Sequence, residues 1–333
     1  MKKHLSAVIR YAVLLLIAMI WGFAFVAQNK VNAYVAPVSV VCLRSATAAI
    51  FLIPVIAIRD RLQGHKRQLL SVQNGRLHLD ITKTEWIGGA FCGLALGTAA
   101  TLQQFGLLYN DSAGKTAFLS SLYVVFVAVF GLILGKKTPP LVLCGMLGAI
   151  FGGVLLTMQS SGSGDMSLSL GDCLILLSAV AYAVHILTID RYSPRADGVR
   201  LSVIQFIVCS LVTLPALFLE SQPGAFWDGL LYILYLGIGS SGIGYTLQIL
   251  VQKDTNPVAA SVILSLESVF GLIGGILLSG ETHSVREYIG AGVILLSVIV
   301  SGLGGIGRTD TKEPEKAAPP PDETNGQDRK NCT

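Results

Sequence analysis

The chain has 333 residues, 52% of them hydrophobic and only 13% charged, with a net charge of +4 and a mean hydropathy of +0.65. Soluble domains carry about 25% charged residues, so too little charge is present to cover a water-facing surface, and a soluble globular protein is excluded. The small, dispersed positive charge gives no footprint for nucleic acid, and six cysteines without a CxxC pair or a Cys/His cluster support neither a disulfide framework nor a zinc site.

A helix needs about 20 apolar residues to cross a bilayer, and lipid accepts only helices or closed barrels. The first qualifying segment, 11–28, follows Lys2, Lys3 and Arg10 and ends after Trp21. It lacks a small-residue cleavage site and many spans follow, so it reads as a retained span, not a signal peptide. Segment 36–57 carries Arg44, and a basic loop with Arg59, Arg61, Lys66, Arg67, Arg76 and Lys83 follows. Segment 86–108 holds Gln103, 113–134 opens near Lys115, and 140–158 closes the first half. The second half comprises 171–189 with Tyr182 and His185, 201–219, 229–251 with Tyr245 and Gln248, 257–279 with Glu267, and 288–306. The expected fold is therefore an all-α membrane protein of ten transmembrane helices. Beyond it, 307–333 is charged and has prolines at 319–321, the composition of a disordered cytoplasmic tail.

Orientation follows from the loop Lys and Arg residues. With the N-terminus in the cytoplasm, 20 of the 24 lie inside, Lys30, Lys115 and Arg286 lie outside, and Arg44 lies within a span. Both termini are expected to be cytoplasmic, in a multi-pass protein of the cell membrane.

Shifting the chain by 145 residues superposes Thr101-Leu102-Gln103 on Thr246-Leu247-Gln248, Ser120 on Ser265, Gly135 on Gly280 and Gly145 on Gly290. A shift of 161 superposes Trp21 on Tyr182, Arg44 on Gln205 and Pro54 on Pro215. Five spans per half is an odd number, so the halves 1–158 and 159–306 read as two inverted five-helix repeats. Secondary transporters use that architecture, with the substrate site near the midplane between the halves.

Trp21-Gly22, Arg44 within Cys42-Leu43-Arg44-Ser45-Ala46, the run Gly114-Lys115-Thr116-Ala117-Phe118-Leu119, and Leu266-Glu267 followed by Gly280-Glu281 occur in this order. Together they resemble the drug/metabolite transporter superfamily in its EamA-type branch, over residues 11 to 306. The resemblance implies ten-helix transport of small metabolites, amino-acid-like compounds or drugs. Relatives often have Pro soon after the ninth-span Glu, where this chain has Ser268, and Leu122-Tyr123-Val124 lacks the matching Pro as well.

Glu267 lies about 15 Å into its span at about 1.5 Å per residue, where a charge requires a cavity or a partner. It can couple protons or bind a substrate amine, or serve in a buried structural pair. Arg44 can clamp a carboxylate with two parallel bonds or hold carbonyls and carboxylates of neighbouring helices. Lys115 can touch substrate at the external mouth or snorkel to the interface. His185 can accept protons near neutral pH or pack as a hydrogen-bonded core residue. Gln103 and Gln248, at equivalent repeat positions, can line a shared cavity or link helices. Trp21, Tyr182 and Tyr245 are candidate cavity walls. Four GxxxG pairs, Gly93/Gly97, Gly131/Gly135, Gly148/Gly152 and Gly271/Gly275, are expected at close helix contacts.

The chain has no Walker A segment, so a secondary transporter would draw on a proton or substrate gradient. HExxH, GxSxG and paired intramembrane aspartates are missing, which disfavours an intramembrane enzyme. A passive channel needs a polar stripe along several helices, denser than this chain offers; a membrane scaffold is the remaining alternative. The partners expected are a small-molecule substrate and the lipid bilayer, without nucleic acid; no cofactor or metal is expected, and a homo-oligomer is compatible with the sequence.

Overall fold

The computed structural model describes residues 2–62, 70–73, 76–109, 113–157, 169–282 and 284–306. The helices in chain order are α1 (Lys2–Val31), α2 (Pro37–Leu62), α3 (Lys83–Tyr109), α4 (Gly114–Ile133), α5 (Pro140–Thr157), α6 (Leu170–Tyr192), α7 (Gly198–Leu219), α8 (Phe226–Gln252), α9 (Pro257–Ser279) and α10 (Val285–Ile306). Among the described residues nine are long and apolar enough to cross a membrane, and the tenth, α5, is shorter. Its 18 residues rise about 27 Å, slightly less than the hydrocarbon thickness of about 30 Å. The expected tail, 307–333, lies outside the described residues.

The all-α fold is as expected, with one short addition outside the helices. Between α2 and α3 stands an antiparallel hairpin, β1 (Leu70–Gln73) with β2 (Arg76–Leu79), in which Gln73 pairs with Arg76. The two intervening residues in the sequence are Asn74-Gly75, the pair with the strongest preference for a two-residue hairpin.

Local signals fix the helix ends. Ser169 and Asp172 form a reciprocal capping box at the start of α6. Asp197 accepts from the backbone N–H groups of Val199 and Arg200 at the start of α7. Asn256 caps α9 with Pro257 at the first helical position. Gly135 after α4 and Gly280 after α9 both take a left-handed conformation, with φ of 72° and 66°, which glycine adopts without the Cβ penalty.

Neither α4 nor α9 is continuous. Each breaks into two segments, around Leu122 and around Ser265–Leu266. There the hydrogen bonds tighten to three-residue turns, Val125 N–H to Leu122 O at 3.0 Å and Ser268 N–H to Ser265 O at 3.1 Å. Ser121 and Ser265 also donate to carbonyls three residues back, both at 2.7 Å. Serine back-bonding bends helices, so both breaks form without a proline.

The packing pairs exchange between halves. α5 packs on α10, and α2 on α7. α3 packs on α6 and α7 as α8 packs on α1 and α2, and α4 lies on α6 as α9 lies on α1. Two of the four glycine pairs sit at such contacts, Gly93/Gly97 against α7 and Gly148/Gly152 against α10; of the third, Gly271 meets Ala117 of α4, while Gly275 meets the Glu281 side chain beyond the end of α9. The fourth expectation is corrected, because Gly131 meets only Lys136 and Gly135 is the cap of α4.

A central apolar core draws on most of the helices, including Leu14, Leu52, Val127, Ala179, Phe206 and Val262. Large apolar side chains also cover the outside: Ile133, Phe218, Leu219 and Leu231 are all exposed. Trp86, Tyr109, Trp227 and Tyr288, near helix ends, are exposed as well, as interfacial aromatic belts require. An apolar outer surface with aromatic ends belongs in lipid, and the chain is a multi-pass membrane protein.

Candidate functional site

A cavity lies at the centre, bounded by seven of the helices. α1 contributes Trp21 and Gln28, α2 Arg44, and α3 Gln103. Ser120 and Tyr123 come from α4, Tyr182 from α6, Ser240 and Tyr245 from α8, and Glu267 from α9. Its volume is about 30 Å³, room for a water or two but far below the several hundred Å³ of a ligand pocket. The site is therefore occluded in this conformation.

Glu267 reaches the cavity because α9 breaks immediately before it, so that the carboxylate stands at the first turn of the second segment. Gly22 lets α1 approach that turn: a Cβ there would stand 2.8 Å from the Glu267 carbonyl oxygen. The side chain is 4% exposed, and among the described residues it has no ion-pair partner. Its polar neighbour is the Tyr123 hydroxyl, which faces it without completing a hydrogen bond.

Arg44 is buried on the α2 side and is held by α8, whose middle, Tyr235–Tyr245, winds as a π-helix. The wider turn presents two consecutive serines. Arg44 Nε donates to Ser241 Oγ and Nη2 to Ser240 Oγ, both at 3.0 Å, while Nη1 donates to Gln28 Oε1 at 3.2 Å. All three acceptors are neutral, so the charge is solvated by dipoles and not cancelled. A guanidinium has five donors, and two remain for a ligand. Arg44 and Glu267 share the cavity without forming an ion pair.

Aromatic rings and amides join these two groups. Trp21 Nε1 donates to the Ser240 carbonyl at 3.0 Å, a bond across 219 residues of sequence, and its ring lies 4.5 Å from that of Tyr245. Tyr182 donates to Gln103 Oε1 at 3.1 Å, and Gln103 Nε2 donates to Ser120 Oγ at 2.7 Å.

Six of the sequence candidates thus meet at one place: Glu267, Arg44, Gln103, Trp21, Tyr182 and Tyr245. Three do not. Lys115 pairs with both oxygens of Asp172, at 2.8 and 2.9 Å, and so braces the capping box of α6. Gln248 turns to Gln252 at 3.1 Å instead of matching Gln103. His185 bonds Gln205 Oε1 at 3.1 Å and stands edge-on behind Tyr245, 5.6 Å between centroids. Gln28, Ser120, Tyr123 and Ser240 escaped the sequence reading; the glycines 237, 239, 242 and 244 were the only hint of the unusual α8. Among the described residues no cluster of three or more His, Cys, Asp or Glu side chains could hold a metal ion.

The model of the EamA-like transporter family matches residues 9–159 and again 169–303. An uncharacterized transporter of Archaeoglobus fulgidus is 26% identical over 292 residues, covering 87% of this chain and 84% of its own. The uncharacterized inner membrane transporter YedA of Escherichia coli K12 is 24% identical over 200 residues, 59% of this chain and 63% of its own. A solved crystal structure at 16% identity shares the fold with a TM-score of 0.63, over 88% of this chain and 96% of that one.

Proposed function

The chain belongs to the EamA-like transporter family, and from that premise we propose that it is a secondary transporter working by alternating access. Its cargo is a small metabolite, an amino-acid-like compound or a drug, carried across the cell membrane. The observation that carries the reading is the occluded polar cavity, which a guanidinium and a carboxyl share without neutralising each other. A closed cavity of about 30 Å³ fits a conformation between two open ones and does not fit a continuous channel.

Residues 1–158 and 159–306 act in this reading as two inverted repeats, with 307–333 a disordered cytoplasmic tail and both termini in the cytoplasm. The exchange of packing partners between halves, the paired helix breaks and the paired left-handed caps support it. Arg44 offers its two spare donors to an anionic group of the cargo. Glu267 carries a proton or meets a cationic group, and Tyr123 bonds it in one protonation state. The family is one of transporters, which speaks for transport and against catalysis.

Counterflow in proteoliposomes tests the reading, with a panel of amino acids, organic cations and small drugs. At least one compound should exchange saturably, and Arg44→Gln should weaken that exchange roughly 10- to 100-fold, the worth of hydrogen bonds to a charged group at about 1.5–3 kcal/mol. Folded protein that moves no compound, or an Arg44→Gln variant with unchanged exchange, would contradict it.

A further inference from the structure

We propose that the crevice between α3, α4 and α6 binds an anionic phospholipid, one acyl chain in the apolar cleft and the headgroup phosphate on Arg191. The crevice has a volume of about 440 Å³, within the range of ligand-sized sites, and shares no residue with the central cavity. Phe91, Phe130, Ile133 and Leu187 form its walls. Ile133 is 76% exposed and Phe91 56%, so the cleft opens outward from the helix bundle to the lipid phase.

Apolar walls would accept any acyl chain; selection comes from the rim. There stand Thr188, Arg191 and Tyr192 at the end of α6. The Tyr192 ring stacks on Phe91 at 6.5 Å and fixes one side. Asp190, the carboxylate next in sequence to Arg191, is taken by Lys136, which follows the left-handed turn at Gly135. Among the described residues the exposed Arg191 guanidinium has no hydrogen-bond or ion-pair partner. Its planar fork matches a phosphate bidentately. A free cation above an outward-facing apolar cleft, flanked by an interfacial tyrosine, matches the two ends of one anionic lipid. On the proposed orientation this end of α6 is cytoplasmic, where anionic headgroups attract basic residues.

Native mass spectrometry of the purified protein, with phosphatidylglycerol or phosphatidylcholine of identical chains, tests the proposal. Wild type should retain phosphatidylglycerol about fivefold better, the equivalent of about 1 kcal/mol for one cation at an anionic surface. Arg191→Gln should abolish that preference and Arg191→Lys should keep most of it. Thr188→Trp, which fills the cleft, should reduce retention of both lipids. Equal retention of the two lipids by wild type, or a preference that survives Arg191→Gln, would overturn the proposal; an uncharged apolar cargo in the cleft would give the first of these results. If Thr188→Trp fails to fold, the two Arg191 variants decide.

Discussion

Replacing Gly22 by Ala places a methyl group where α1 and α9 touch beside the site. An ideal Cβ there would stand 2.3 Å from Phe270 Cβ and 2.8 Å from both Glu267 O and Gly271 N. Carbon contacts are comfortable at about 3.5–4.0 Å, so the two helices must part by roughly 1 Å or more. No side-chain rotation relieves the clash, because two of the three atoms are backbone and the third is a Cβ. Overpacking of this kind costs about 1–3 kcal/mol, and it displaces the turn that carries Glu267. Gly292→Ala is the control: nothing lies within 4 Å of a Cβ there, and alanine is better than glycine in a helix by up to about 1 kcal/mol. Thermal unfolding in detergent can be followed with a thiol-reactive dye that reports the buried Cys42, Cys92 and Cys209, after the accessible thiols are blocked. Gly22→Ala should unfold at a lower temperature than wild type, and Gly292→Ala at the same or a higher one. Equal midpoints for the two variants would refute the close contact and the route by which Glu267 is positioned.

Two further predictions concern groups outside the cavity. Lys115→Gln removes the ion pair to Asp172 and should destabilise the fold by about 1.5–3 kcal/mol, while KM for any transported compound stays at the wild-type value; a raised KM with unchanged stability would make Lys115 a substrate contact. Burial pushes the Asp197 carboxyl up, but hydrogen bonds from Arg59 and the Arg200 backbone outweigh it and hold the group below its ordinary value. Its contribution is therefore full above the unfolded-state pKa of about 3.9 and is lost as pH falls through the lower folded value. The stability advantage of wild type over Asp197→Asn should stay constant from about pH 8 to 5 and disappear in stronger acid; an advantage that grows in acid would reverse the sign.

The ten helices were legible because each is a long apolar run, and length and hydropathy alone fix such segments. The hairpin was missed for the same reason: a search for runs of about 20 residues passes over four-residue strands, although the sequence pair Asn74-Gly75 is a hairpin signal. Within the site, Glu267 and Arg44 stood out because charge inside an apolar run demands a cavity or a partner. Tyr123, Ser120 and Ser240 did not, since hydroxyls are common in membrane helices and announce their role only once the helices bend. Repeat symmetry guided and misled in equal measure. It paired Trp21 with Tyr182, and both line the cavity. It also paired Gln103 with Gln248, whose side chain is drawn off by Gln252 one turn away. Lys115 was read by its depth, and only the folded chain brings Asp172, 57 residues on, within reach.

Accumulation of a counterflow-competent compound against its gradient, driven by an imposed pH difference, tests the role of Glu267 most directly when wild type is compared with Glu267→Gln. One proton per cargo and one pH unit supply about 1.4 kcal/mol, enough for roughly tenfold accumulation. The account predicts that wild type approaches that ratio, while Glu267→Gln exchanges cargo but no longer accumulates it. Wild-type accumulation by Glu267→Gln would contradict a proton-carrying Glu267 and move the coupling group elsewhere in the cavity.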